Sequence, residues 1–341
     1  MKKVICFALL LCGLASCRMF EVASIDYLEP AGITFPSEVR RVGVVNNVVS
    51  DSLLEKGGEP VFHEGVATLC GDGRVLAEEL AASIASANYF DLVVICDSAL
   101  RQGDRLPRES RLGGSEVRQL ADGLGVDLVL SVDRVDLSIE RGLAYYPDYP
   151  TPEPTLDAKV HTLLRLYLPG RESPMATLAD TDSLYWAGSW TVDTTMVRDA
   201  SAYVSQAAVR HLLPVWKKAN RYFYAGGCVE MRDAAVCVKE DEWEDACRLW
   251  QAVYGGKNER FRMYAAYNIA LFHEVADDLE QAKAWLEKAL EMAGKEVERD
   301  ERGEPVALTT DYRLMTSYYA HLSDRLSERY KLDLQMERFG K

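Results

Sequence analysis

The chain has 341 residues, 48% of them hydrophobic, with 53 acidic against 39 basic side chains and a formal net charge of −14. That length holds two domains of ordinary size with packed cores. Lysine and arginine are dispersed rather than clustered, so the acidic balance excludes nucleic acid as a partner and leaves no basic patch for anionic lipid.

The N-terminus begins with Lys2 and Lys3, continues through the apolar run Val4 to Leu14, and reaches Leu14-Ala15-Ser16-Cys17. These are the parts of a secretory signal in order. The apolar run is shorter than the roughly 20 residues that a membrane-spanning helix needs, and no later segment is apolar enough to span. Small residues followed by cysteine resemble the lipobox of bacterial lipoproteins. The resemblance implies a diacylglycerol on the Cys17 thiol, removal of residues 1–16 as signal peptide, and a lipidated lead over 17–35. Taking two lysines from the 39 basic residues leaves 37 against 53 acids, a mature charge of −16. Arg18 after the anchor, where no acid stands, points by the same resemblance to the outer membrane. Surface or periplasmic exposure stays open.

Residues 36–220 read as an α/β domain. The β-branched run 39–49 predicts a strand. Leu76, Leu80, Ile84 and Ala87 have helical spacing over 73–88, with Asp72 as cap. Asp91 to Asp97 encloses a short apolar strand. Val117, Leu120, Ala121 and Leu124 mark a second helix, with Ser115 as N-cap and Gly125 just past its end. From Val126 to Glu140 the apolar positions shift phase between 132 and 135, which predicts a β-bulge. After the Pro/Tyr loop 145–154 a strand runs from Leu156 to Leu168. Leu156, Ala158, Val160, Leu164, Leu166 and Leu168 line one face, and Lys159, His161 and Arg165 lie on the other. A third strand is expected over Leu184 to Val192, placing Trp186, Gly188 and Trp190 on one face, followed by a helix over Asp199 to Pro214. The order β-α-β-α-β-β-β-α predicts a mixed sheet in two or three layers. With the Gly-Val-Asp-Leu-Val-Leu-Ser segment at 125–131, it resembles the small α/β domain of curli-secretion lipoproteins and the N-terminal domain of the Tol-system propeller protein.

From Tyr222 the pattern becomes helical and repeats. Ala234 is matched by Ala270, Ala246 by Ala282, Trp250 by Leu286 and Val253 by Ala289, each 36 residues on. Small residues recur where antiparallel helices must approach. The pattern over 221–341 resembles a degenerate tetratricopeptide repeat: His273 stands where a tyrosine is usual, the terminal proline is absent, and the period exceeds the usual one of about 34. Lys295 to Glu304 reads as an exposed link, and Asp311 to Tyr330 as a final helix over the open end. Two pairs fall short of the roughly three repeats that stand alone, so this half is expected to lean on the α/β domain. The lipobox, Leu28-Glu29-Pro30-Ala31, the early Val-Val-Asn-Asn strand and Ala265-Ala266-Tyr267-Asn268-Ile269-Ala270 together resemble a family of Bacteroidota lipoproteins with tetratricopeptide-like C-terminal regions. That family has no assigned activity, so the resemblance implies location and architecture and no chemistry.

Patterns for catalysis are missing. The five histidines are scattered, there is no G-x-S-x-G elbow or phosphate-binding loop, and no metal or cofactor is implied. Cys70, Cys96, Cys228, Cys237 and Cys247 are odd in number and lack C-x-x-C spacing, which argues for packing. A bridge between Cys237 and Cys247 stays open. Asp133 and Asp136 flank the expected bulge and would form an acid/base pair only if the bulge brought them together. Tyr145, Tyr146 and Tyr149, among prolines, form the candidate partner-contact loop. The leading expectation is a lipid-anchored cell-envelope protein that binds a protein or peptide through its helical half, without catalysis. The alternatives are an envelope enzyme acting on glycan or peptidoglycan through Asp133 or Asp136, with Trp186 and Trp190 as a platform, and a component of an envelope assembly or secretion system.

Overall fold

A computed structural model describes residues 19–48, 60–96, 98–101, 111–148, 150–299 and 305–340. Among them are eight α-helices and a mixed sheet: an α/β region is followed by a helical region, as the sequence predicts. The chain forms two compact units, each discontinuous in sequence. The described residues up to Pro30 join Val215–Asp333, while Ala31–Pro214 joins the residues from Leu334 onward. The first strand, β1 (Phe20–Glu29), belongs to the former.

The α/β unit contains β2 (Arg41–Asn46), β3 (Val66–Cys70), α1 (Gly73–Ser86), β4 (Leu92–Ile95), α2 (Gly114–Leu124), β5 (Leu128–Ala144), β6 (Glu153–Tyr167), β7 (Ala176–Ala187) and α3 (Thr194–Leu212). Its strand order is β4-β2-β5-β6-β7. β2 lies parallel to β4 and to the first part of β5. β5, β6 and β7 are antiparallel, and β3 pairs antiparallel with Asp136–Glu140 of β5. Asp72 caps α1 by accepting from the Arg74 and Val75 amides, and Gly125, at φ 67°, ends α2 in the left-handed region. Ser115 is not the cap of α2: that helix starts at Gly114, and the Glu116 carboxylate accepts from the Gly113 amide.

Helices α1 and α3 cover one sheet face. Leu76, Leu80 and Ile84 meet Val197, Val204 and Leu212 over Leu130, Val135, Leu137, Leu156, Val160 and Leu164. The other face is covered in part, by α2 packing Val117 and Ala121 on Val45, Val129 and Tyr167. The unit therefore has three layers at the β2 end and two where β5, β6 and β7 run on. Gln335 and Arg338 close it: the Gln335 amide exchanges hydrogen bonds with Ala31 at 3.0 Å, and Arg338 donates to the Val39 and Tyr89 carbonyls.

The predicted bulge is present, with the β5–β6 register shifting between Val132 and Arg134. The extra residue, Asp133, is buried. Its carboxylate pairs with Arg165, itself 2% exposed, and accepts from Ser131 and from Asn47 at 2.9 Å. Arg165 occupies the sheet face the sequence gives it, but it is buried there, paired with Asp133 at the bulge.

The helical unit consists of β1, β8 (Val215–Tyr224), α4 (Val229–Lys239), α5 (Trp243–Tyr254), α6 (Glu259–Val275), α7 (Leu279–Gly294), the short β9 (Glu298–Arg299) and β10 (Pro305–Ala307), and α8 (Thr310–Met336), which ends past the unit's last residue. β1 and β8 pair in antiparallel register from Phe20↔Tyr224 to Glu29↔Val215. Consecutive helices from α4 to α7 pack on one another. The period-36 positions Ala234, Ala246, Trp250, Ala270, Ala282, Leu286 and Ala289 are all 0% exposed, so the small residues mark where helix backbones approach. The segment near Arg221 to Gly227 is packed. Phe223, Tyr224 and Ala225 are buried in this core, and the Asn268 side chain both accepts from the Tyr224 amide (2.9 Å) and donates to its carbonyl (2.8 Å). Cys237 and Cys247 are free thiols; burial pushes the Cys247 pKa up to about 11.

Breaking a buried ion pair by removing one partner costs about 3–5 kcal/mol, while replacing both can be neutral. Arg165→Met should therefore lower the stability of the α/β unit by about that amount in urea unfolding, and the double variant Asp133→Asn/Arg165→Met should regain much of the loss.

Candidate functional site

A cleft of about 330 Å³ opens in the helical unit, lined by Tyr27, Leu28, Arg221, His321, Arg325 and Arg329 among others. Beneath these arginines lies Glu274, in the last turn of α6, with its side chain fully buried. Arg221 on the inner face of β8 donates Nε to Oε2 at 3.0 Å and Nη2 to Oε1 at 2.9 Å. From α8, Arg325 Nη1 donates to Oε1 at 2.7 Å and the Tyr318 hydroxyl to Oε2 at 2.6 Å. Four donors match the lone pairs of one carboxylate, which leaves Glu274 nothing with which to take a substrate proton. Burial opposes the charge on Arg221, but the hydrogen bonds and charge of Glu274 outweigh it and raise the pKa. The Tyr318 hydroxyl is pushed far above its ordinary range, first by burial and then by Glu274.

Asp277, at φ 57° in the turn after α6, holds the arginines from outside, at 3.3 Å from Arg325 and 3.0 Å from Arg329. The Arg325 guanidinium also lies 4.4 Å from the Tyr27 ring centre, a cation–π contact. The arginines of the wall are thus fixed before any ligand arrives, which lowers the entropic cost of binding. Removing the central charge would leave two partly buried cations facing each other with no anion between them. Glu274→Gln should cost about 3–5 kcal/mol of the helical unit's stability in urea unfolding, with a larger loss than Asp277→Asn at the exposed rim.

A second surface is the part of the β5–β6–β7 face that α2 does not reach. Register aligns polar side chains there in rows: Asp136–His161–Thr181, Ser138–Lys159–Ser183 and Glu140–Asp157–Tyr185. His161 Nδ1 is 2.8 Å from the Thr181 hydroxyl. Burial raises the Asp136 pKa, with Arg134 and His161 acting against it. The last two rows line a hollow of about 280 Å³. The bulge turns Asp133 to this side of the sheet, yet it does not make an acid/base pair. Asp133 is committed to Arg165, whereas Asp136 sits 3.3 Å from Arg134.

Tyr145 and Tyr146 follow β5 and are exposed, Tyr145 by 77%; Tyr149 lies outside the described residues, as does Cys17. The aromatic platform expected of Trp186 and Trp190 is not formed. β7 ends at Ala187, before Gly188 and Trp190. Trp186 packs against the α/β core, while Trp190 is exposed and donates Nε1 to the Gly142 carbonyl at 3.0 Å. None of the seven repeat positions lines the cleft. The sequence reading did not single out Arg221, Glu274 and Arg325. One signal for them was available: Glu274 falls on the face of Tyr267, Ala270 and Leu271, where a charge demands a buried partner.

Among the described residues no three His, Cys, Asp or Glu side chains converge as a metal would require, and no helix is long and apolar enough to cross a membrane. Comparison with curated proteins gives no match. Two solved structures are similar over half of this chain: the rare lipoprotein B from Shewanella oneidensis, at 16% identity over 90% of that chain with a TM-score of 0.21, and the hypothetical protein CT253 from Chlamydia trachomatis, at 10% identity over 95% of that chain with a TM-score of 0.24. At these TM-scores neither likeness bears on fold or function. Residues 232–324 match a domain of unknown function, DUF6340. Residues 39–224, more than half of the chain, match the domain of unknown function DUF8603, and the chain belongs to that family.

Proposed function

We propose that this is a lipoprotein of the bacterial cell envelope, held by a lipid on Cys17 in the outer membrane, that binds a protein or peptide without catalysis. The lipobox supports the location. The helical hairpins, with alanines at a period of 36, support a tetratricopeptide-like module. The observation that carries the binding role is the cleft above Glu274. Its arginines are oriented in advance, its carboxylate is saturated with donors, and Tyr27 and Leu28 add apolar wall beside the charges. Such a site recognises a polypeptide segment by shape and charge.

Crosslinking in intact cells with a photoreactive residue at His321 tests this reading. The wild type should yield one defined polypeptide adduct. Arg329→Glu, which reverses a charge at the rim, should reduce it several-fold, and Cys17→Ala should release the protein from the membrane fraction. Adducts unchanged by Arg329→Glu, or none above the anchor-free control, would contradict the proposal.

A second reading, an envelope enzyme acting on glycan, draws on the row Asp136–His161–Thr181 and its short imidazole–hydroxyl contact. Release of soluble fragments from peptidoglycan that is lost in His161→Ala would support it; no release, or release unaffected by that change, would remove it.

A further inference from the structure

The cleft meets its two strands in different ways. β8 contributes Lys217, Ala219 and Arg221, every second residue and so a single face, whereas β1 contributes Tyr27, Leu28 and Glu29 without a gap, followed by Pro30. Neighbouring residues of a strand point to opposite faces, so an unbroken run lines one opening where that opening wraps around the strand. The end of the ribbon does not explain the run. Trp216 and Val215, the register partners of Leu28 and Glu29, take no part in the lining. The cleft therefore passes the edge of β1 that faces away from β8.

In a two-stranded antiparallel ribbon each strand gives about half of its backbone N–H and C=O groups to its partner and turns the rest outward. Among the described residues, the backbone of Phe20–Glu29 hydrogen-bonds with β8 alone. β1 also lacks most of the features that blunt an exposed edge. It is 10 residues long, contains no lysine or proline, and keeps an unbroken register with β8. Its three acids are each answered by a lysine: Glu21 by Lys239, Asp26 by Lys218 and Glu29 by Lys217.

We propose that the polypeptide bound in the cleft enters as an extended segment and adds to the free edge of β1 as a third strand. The inference rests on the polypeptide-binding reading above and names the conformation the partner takes. Main-chain hydrogen bonds to β1 supply affinity, and alternate side chains of the added strand face the wall of Tyr27, Arg221 and Arg325. A helical partner has its backbone groups committed within itself and would leave the edge unanswered.

The test uses the full-length protein with a photoreactive residue at His321, crosslinked in its native membranes. Hydrogen exchange resolved to single amides then compares the purified adduct with the same protein purified without illumination. Strand addition predicts alternation: between Ser24 and Glu29 every second amide exchanges roughly tenfold more slowly in the adduct, while the amides between them, already bonded to β8, change little. An adduct without that alternation overturns strand addition and leaves the binding reading standing. Absence of an adduct overturns the binding reading and the added strand with it.

Discussion

A carboxylate without water must have its charge and all its lone pairs answered by the protein, and Glu274 meets that condition by drawing three elements to one point. Arg221 comes from β8, Tyr318 and Arg325 from α8, and Arg325 in turn rests on Tyr27 of β1. Among the described residues the ribbon of β1 and β8 has no further strand to pair with, so it depends on such contacts for its place. The cleft is a by-product of the same arrangement. The ribbon and α8 are joined at Glu274 and diverge above it, leaving arginines whose inner nitrogens are committed and whose outer surfaces face the opening. Tyr224 repeats the device at the other end of the ribbon, with its backbone read by Asn268, its ring stacked on Tyr264 at 3.9 Å and its hydroxyl donated to Asp311.

The α/β unit places its polar surface by a different route. A long hairpin, β5–β6, continues past the helix that covers its base. Because α2 is short, 11 residues, it reaches Val129 and Tyr167 but not the outer rows. The bulge at Asp133 lies near that boundary. It lets the apolar positions of β5 stay on the side of α1 and α3 along the whole strand, and it turns a carboxylate inward, where Arg165 neutralises it. The outer face is then free to carry charge and hydroxyls without disturbing the core.

Periodicity made much of this legible. The phase change in β5, the two faces of β6, the Asp72 cap and the period of 36 in the helices each follow from local pattern, and each leaves its mark on burial. β1 and β8 escaped because their partners are remote; β3 escaped too, as did the short β9, which falls with buried Val297 in the stretch read as an exposed link. β1 reads as a polar lead because Ser24, Asp26 and Glu29 interrupt it; β8, with Lys217, Lys218 and Asn220, lacks the apolar face of a core strand. Each buries only one side, against helices. β7 was placed eight residues too late for a similar reason: as an edge strand rich in Thr, Asp and Ser, its first half carries little apolar signal. The cleft was illegible because Glu274 is 53 residues from Arg221 and 51 from Arg325, and no local rule pairs side chains at that distance.

The cleft, not the polar sheet face, is the surface proposed for partner contact. Hydrogen exchange compares the two directly when the protein in its native membranes is set against the same protein purified away from them. Contact through the cleft predicts added protection in native membranes at residues 27–30, 217–221 and 321–329, with exchange over 136–140 and 157–161 unchanged. Protection confined to the sheet segments, with the cleft segments exchanging alike in both states, would contradict it.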